Sequence, residues 1–300
     1  MVTEPERVGG ARVGLVTHNG AGQGGEWQQR GQMAMAGLAE TWQSLAEASA
    51  ELSASEWALP TECPGWDVKD QLSHLIGVER AIMGEAAPDW DGSLGDHVRN
   101  DFAASNEPFV AVRRARAGPE VYAEFVDVTR TRLAQEEGRS DEEWGAVGWS
   151  PLGERPHAVF MEVRVFDSWV HEQDVRRALD RPGGSGNLAS AMALTRVQDA
   201  MPFVVGKQAA CPDGTTVRFD IAGARDDART FTIAVEEGRA RPVGDTVVPT
   251  VVLSLPSLDF MRLGCGRTTA AQLAEQGTGV PIEGDVSIGH TVLGAMNFMF

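Results

Sequence analysis

Three residues have the chemical types and spacing needed to bind a metal ion: His74, Asp167 and His171. Asp167 and His171 are four residues apart, and side chains at that spacing share one face of a helix. His74 is distant in sequence and would have to come from a second helix. Three protein ligands with an open fourth position are typical of a catalytic zinc site. One carboxylate and two imidazoles favour zinc, although iron, nickel and manganese also accept them.

Spacing alone leaves a simpler interpretation of the same residues open. An aspartate and a histidine at this spacing are often a solvated pair on a helix surface, and a histidine beside an apolar stripe is often satisfied by hydrogen bonds. Asp174 continues the row beyond His171, where it could orient the imidazole as an outer partner or simply face solvent. Glu162 lies about 180° around the helix from His171, so we exclude it from the cluster.

Long helices are the elements that would position these residues. Apolar residues recur at steps of three and four from Trp27 onward, which is typical of a helix with one buried face. Asp67 is a predicted N-cap at the start of the helix that carries His74. The four predicted helical regions span about 26–52, from 67 to beyond 82, 97–138 with a break at Gly118-Pro119, and 157–180. They predict a four-helix bundle.

The pattern changes after Asn187. Alternating, β-branched segments predict three strands at 216–221, 230–235 and 250–255. Helices are predicted at about 188–201, 257–263 and 269–276, followed by a final apolar helix that extends to Phe300. The expected fold class is therefore α plus α+β, with a flexible leader over 1–25, a four-helix bundle over 26–184 and a smaller α+β domain over 188–300.

The glycine-rich leader permits one alternative. Gly20, Gly22 and Gly25 follow a short apolar stretch and fit the pattern G-x-G-x-x-G. A dinucleotide site would need a βαβ unit around that pattern, whereas the residues that follow predict a long helix. We therefore interpret residues 1–25 as a flexible leader.

Composition excludes several classes of partner. Acidic residues outnumber basic residues by 43 to 26, and the resulting formal charge of −17 repels nucleic acid and anionic membranes. No apolar run approaches the roughly 20 residues of a membrane span, and the N-terminus does not resemble a secretory signal. The three cysteines form no CxxC pair, which indicates reduced thiols. We expect a cytoplasmic protein whose partners are small molecules, and the oligomeric state stays open.

Three segments resemble one known family. The run PTECPGWDVKDQLSHL, from Pro60 to Leu75, resembles the second-helix signature of the DinB-like, mycothiol-dependent maleylpyruvate isomerase family. Residues 98–100 and 170–176 resemble two further stretches of that family. The resemblance covers about residues 26–183, and the smaller domain resembles the family's sterol-carrier-like C-terminal domain.

The resemblance implies roles for particular residues. In that family a histidine of the second helix and a carboxylate-x-x-x-His motif of the fourth bind zinc, which implies these roles for His74, Asp167 and His171. The best-known pattern has glutamate where this chain has Asp167, whose side chain is one methylene shorter. Leu263–Arg267 resembles the family's Gly-Arg turn, which implies that Arg267 binds a substrate carboxylate. Arg99 and Asn100 could cap a helix or reach the same pocket.

The implied reaction is thiol activation. A bound cation stabilises a thiolate near neutral pH, and the thiolate, here that of mycothiol, attacks an electrophilic carbon of a small substrate. The thiol then leaves after a double bond has rotated, which is isomerisation, or stays attached, which is S-transfer. Two alternatives stay open: a ligand-binding protein whose metal site has lapsed, and a metal-dependent hydrolase that activates water.

Overall fold

Four long helices form the first part of the structure, a computed structural model that describes residues 25–95, 98, 101–244 and 246–299. Helices α5 and α7 each pack against both α1 and α3, which completes the predicted four-helix bundle. The predicted leader lies outside the described residues except for Gly25. The elements of this part are α1 (Glu26–Ser49), α2 (Ala54–Trp57), α3 (Val68–Ile82), α4 (Asp101–Ala111), α5 (Gly118–Glu136), α6 (Asp141–Gly145), β1 (Val147–Gly148), β2 (Arg155–Pro156) and α7 (His157–Ala178).

Helix α3 begins where the sequence predicts. The Asp67 side chain accepts a hydrogen bond from the backbone N–H of Asp70 at 2.8 Å and so caps the first turn. The preceding turn is closed by backbone hydrogen bonds from Thr61 to Trp66 and from Val68 to Leu59, each 3.1 Å. These contacts fix the position of α3, and therefore of His74, relative to the turn.

Helix α7 is buried around most of its circumference. It packs against α1 and α3 and also against α8 (Leu188–Phe203), the first helix of the second part. Apolar side chains such as Trp169 and polar ones such as His171 are therefore both enclosed. A helix that is surrounded in this way need not have a single apolar face.

A five-stranded sheet forms the centre of the second part, with strand order β5-β4-β3-β6-β7. Strands β3 and β6 are parallel, and the other neighbouring pairs are antiparallel. Phe219 lies opposite both Phe231 and Leu253, and all three side chains are buried in the core. The remaining elements are β3 (Thr216–Ala222), β4 (Arg229–Glu236), β5 (Arg239–Val243), β6 (Val251–Pro256), α9 (Ser257–Gly264), α10 (Ala270–Glu275), β7 (Ile282–Gly284) and α11 (Val286–Gly294).

The structure confirms the predicted fold class and corrects some elements. Strands β5 and β7 were not predicted, because both are short and mostly exposed, and β5 contains Pro242. The final helix ends at Gly294 and does not reach Phe300; the described residues after it approach α9, where Phe298 N–H donates to Gly264 at 3.1 Å. No helix in the described ranges is both long and apolar enough to span a membrane.

Candidate metal site

The bundle brings His74, Asp167 and His171 together. Each offers one ligand atom, and these atoms all lie within 4.8 Å of one another. His74 Nε2 is 3.4 Å from Asp167 Oδ2, and His171 Nε2 is 3.7 Å from Asp167 Oδ1. One ligand comes from α3 and two come from adjacent turns of α7, as the sequence predicts. We refer to these three residues as the triad.

His74 is the member of the triad whose ring nitrogens have no hydrogen bonds to the described residues. Its side chain is 5% exposed, yet within the described part of the chain neither ring nitrogen has a hydrogen-bond partner. Burial lowers the pKa of His74 to about 4 even though Asp167 acts in the opposite direction. A neutral, unpartnered imidazole is the form that binds a metal ion, so the triad fits such an ion.

The other two members of the triad are coupled to each other. Burial opposes ionisation of Asp167, but the charges of Arg164 and the two histidines hold the pKa of that carboxyl well below its ordinary value. Burial also disfavours the charged form of His171, but Asp167 and Asp174 outweigh it and raise the pKa of that imidazole. The site therefore contains a carboxylate, and a metal ion at Nε2 of His171 would compete with a proton for that nitrogen.

An outer layer of residues orients His171. Its Nδ1 lies beside Gln71 Oε1 and 3.5 Å from Asp174 Oδ2, so the Nδ1 proton has an acceptor. Its Nε2 faces the other side, toward Asp167. Gln71 is held in turn, because its amide donates to Thr61 Oγ1 at 2.6 Å. Asp174 thus contacts His171, which is the first of the two possibilities that the sequence left open.

Arg267 reaches this outer layer from the second part of the chain. Its Nε and Nη2 donate to Asp174 at 2.9–3.2 Å, and its Nη1 donates to the Cys265 carbonyl at 3.2 Å. Arg267 therefore lies next to the predicted site, where it contacts Asp174, the residue that pairs with His171. Arg99 and Asn100 lie outside the described residues.

Trp66 and Cys63 border the site. The Trp66 ring lies 4.9 Å from the His74 ring and 5.9 Å from the His171 ring, measured between centroids, and covers both imidazoles. Burial raises the pKa of the Cys63 thiol to about 11, although Arg267 acts in the opposite direction. Such a thiol is protonated at neutral pH and is a poor nucleophile.

Three neighbours of the triad were not singled out from the sequence: Gln71, Trp66 and Arg164. A weak signal existed, since Gln71 and Arg164 each precede a triad residue by three positions and so lie on the same helix face. The excluded residue Glu162 points away from the triad and accepts a hydrogen bond from Arg30 at 2.7 Å.

Two cavities flank the second part of the chain. A cleft of about 410 Å³ lies between α7 and α9 and includes Asp174, Arg177 and Arg262. A larger, open groove of about 710 Å³ lies over β3 and β6 near Arg229 and includes no triad residue. The cleft is the more relevant cavity, because Asp174 connects it to His171.

Comparison with known proteins finds similarity to one family and to several individual proteins. Residues 38–176 match the family model described as the mycothiol maleylpyruvate isomerase N-terminal domain. Two uncharacterized proteins of Mycobacterium tuberculosis, from strains CDC 1551 / Oshkosh and ATCC 25618 / H37Rv, are each 29% identical over 210 residues, which is 63% of this chain and 76% of theirs.

Two solved structures of the mycothiol-dependent maleylpyruvate isomerase are also similar, one of them a mutant with a histidine replaced by alanine. They share 15% and 14% sequence identity with this chain, with TM-scores of 0.47 and 0.48, and each comparison covers 86% of this chain and 92% of theirs. The family match contains all three triad residues. Residues 38–176 of this chain are thus similar to the mycothiol maleylpyruvate isomerase N-terminal domain.

Proposed function

We propose that this chain is a metal-dependent enzyme that activates a low-molecular-weight thiol for attack on a small electrophile. The observation that carries the proposal is the triad, in which both histidines are buried and His74 has two nitrogen atoms without a described hydrogen-bond partner. Burying polar atoms without partners costs free energy, so a protein keeps them chiefly where a ligand will satisfy them. The match of residues 38–176 to the mycothiol maleylpyruvate isomerase N-terminal domain supports mycothiol as the thiol.

In this proposal His74, Asp167 and His171 hold the metal, which we propose to be zinc. When bound, the metal would supply a positive charge that favours the thiolate form of a thiol at neutral pH. Gln71 and Asp174 keep the Nδ1 proton of His171 in place, so that Nε2 remains the ligand atom. Trp66 covers both imidazoles and limits the access of water.

We further propose that Arg267 binds a substrate carboxylate from the cleft side. Asp174 already engages its Nε and Nη2, so a carboxylate would have to share that guanidinium. Arg267→Met should then raise KM for an acidic substrate more than it lowers kcat. An equal KM for acidic and neutral electrophiles in the variant and the unaltered protein would remove Arg267 from substrate recognition.

Metal content is the first test of the proposal. Protein purified without added metal should contain about one transition-metal ion per chain by elemental analysis. His171→Ala should lose most of it, because two remaining ligands bind too weakly to retain an ion through purification. His290→Ala, which removes an exposed histidine of α11, is the matched control and should keep the metal. Equal metal in both variants, or none in the unaltered protein, contradicts the proposal.

Thiol consumption is the second test. The metal-loaded protein should consume mycothiol in the presence of electrophiles in S-transfer, or catalyse cis–trans conversion of an unsaturated acid without net thiol loss in isomerisation. The His171→Ala variant should do neither. Turnover that needs no thiol would favour metal-dependent hydrolysis, and metal binding without any turnover would favour a ligand-binding protein.

A further inference from the structure

Arg164 connects the triad to a row of buried charges that the proposed reaction does not use. Its Nη1 donates to Asp167 Oδ2 at 2.7 Å, and its Nε donates to Glu79 Oε1 at 2.8 Å. Glu79 is fully buried on α3, and its second oxygen accepts from Arg132 Nε of α5 at 3.1 Å. Arg132 also pairs with Glu136, which lies 2.8 Å from His157 Nε2.

Charges alternate along this row, from Asp167 through Arg164, Glu79 and Arg132 to Glu136. The side chains of the last four are at most 5% exposed. Ions buried this deeply are retained only when each is paired, so each member constrains the position of the next. Glu79 therefore holds the Arg164 guanidinium in place through Nε, and this leaves Nη1 directed at Asp167 Oδ2.

Asp167 is the one ion of the row with substantial exposure, at 24% of its side chain. Because its side chain is short and partly open to solvent, the Asp167 carboxylate needs a contact that keeps it aimed at the imidazoles. The Arg164 contact supplies that constraint by occupying Oδ2. Oδ1 then faces His171 Nε2 at 3.7 Å, while Oδ2 accepts from Arg164 and lies 3.4 Å from His74 Nε2.

We infer that Arg164, anchored by Glu79, is a positioning residue that makes Asp167 bind metal through one oxygen. The inference rests on the proposed metal site. Without the guanidinium, both oxygens of Asp167 would be free, and the carboxylate could bind through both or rotate into solvent. The coordination number and the affinity would both change.

Cobalt(II) titration of metal-free protein tests the inference without an activity assay. The intensity of the visible absorption bands of cobalt(II) falls as its coordination number rises, so the spectrum reports how Asp167 binds. Arg164→Met should weaken cobalt binding by about 10- to 100-fold, the usual range for residues that orient a ligand, and should alter the band intensity. Glu79→Gln, which leaves Arg164 present but unanchored, should change both readouts in the same direction by less.

Glu124→Gln is the matched control. Glu124 also pairs with several arginines, Arg80, Arg113 and Arg116, but it does not contact the triad or its row of charges. It should lose stability while its cobalt affinity and spectrum stay those of the unaltered protein. A purely structural role for Arg164 predicts that Glu79→Gln behaves like this control.

The outcomes distinguish this inference from the proposed function. If the unaltered protein binds no cobalt, the proposed metal site fails and the inference fails with it. If the unaltered protein binds cobalt and His171→Ala does not, the metal site stands. Unchanged affinity and spectrum in folded Arg164→Met, or in Glu79→Gln should the first variant not fold, would then overturn the role of Arg164 alone.

Discussion

Two polar regions lie in the core of the same bundle, and they differ in how their atoms are satisfied. Around Arg132, each buried charge has an opposite charge as a neighbour, from Glu79 to Glu136 and on to His157. Around His74, both ring nitrogens lack a partner among the described residues. The two regions are joined through Arg164. Their central side chains are buried to a similar degree, since His74 is 5% exposed and Arg132 is 3% exposed. The difference supports our proposal that the first region maintains structure and the second binds a ligand.

The largest expected effect comes from breaking the satisfied region. Arg132→Met leaves Glu79 and Glu136 buried without their shared cation, which should lower the free energy of unfolding by about 3–5 kcal/mol. Urea denaturation followed by circular dichroism measures this change. A loss below about 1 kcal/mol would mean that the pairing contributes little and that the comparison between the two regions is wrong.

Acid should weaken the same region over a defined range of pH. The pKa of Glu136 is lowered from 4.5 to about 2, because hydrogen bonds from His157 and Arg132 outweigh the effect of burial. A carboxyl with a depressed pKa stabilises the fold above its unfolded pKa, and this contribution is lost as pH falls from about 4.5 toward 2. Glu136→Gln should remove about 3 kcal/mol of that pH dependence.

Denaturation midpoints at a series of pH values provide the measurement. Glu275→Gln, which neutralises an exposed glutamate of α10, is the control for the loss of one negative charge. Identical pH profiles for the two variants would contradict a special role for Glu136.

Replacing the polar side chain in the region around His74 should change the free energy of unfolding in the opposite direction. His74→Phe replaces two unpartnered nitrogens by an apolar ring of similar shape, so metal-free protein should be unchanged or more stable by up to about 1 kcal/mol. The same variant should bind no metal. His157→Phe is the matched substitution in the satisfied region, where it removes the contact with Glu136 and should destabilise the protein by about 1 kcal/mol. If His74→Phe and His157→Phe changed the free energy of unfolding in the same direction, the proposed difference between the two regions would be wrong.

The smallest effect should come from a pair that belongs to neither region. Arg130 lies on α5, two residues before Arg132, and pairs with Asp127 on the helix surface, where both side chains are more than half exposed. Arg130→Met should change the free energy of unfolding by no more than about 0.5 kcal/mol, because water screens exposed pairs. A loss comparable with that of Arg132→Met would show that burial does not explain the larger effect.

Local patterns predicted the elements that carry the site. The apolar periodicity of α1, the Asp67 cap of α3 and the start of α7 at His157 are all present as expected. Strand β5 escaped prediction because its arginines and proline hide the alternation that marks a strand. The role of the triad as metal ligands stays a prediction until metal is measured.

The environment of the triad was harder to predict than the triad itself. Gln71, Glu79 and Arg164 acquire their contacts only when α3 and α7 pack side by side, and no spacing within one helix reveals a partner on another. Asp174 was identified because it continues the row of His171 on the same helix. Its pairing with Arg267, 93 residues later, depends on how the second part of the chain packs onto the first.

That pairing limits how freely the two parts of the chain can be exchanged. Asp174 touches His171 on one side and Arg267 on the other, so an arginine outside the bundle neutralises a charge beside the triad. A chimera that joined this bundle to a foreign C-terminal segment without such an arginine would keep all three ligands and lose that neutralising charge. Recombination near residue 187 should therefore yield functional descendants only between chains that share this arginine.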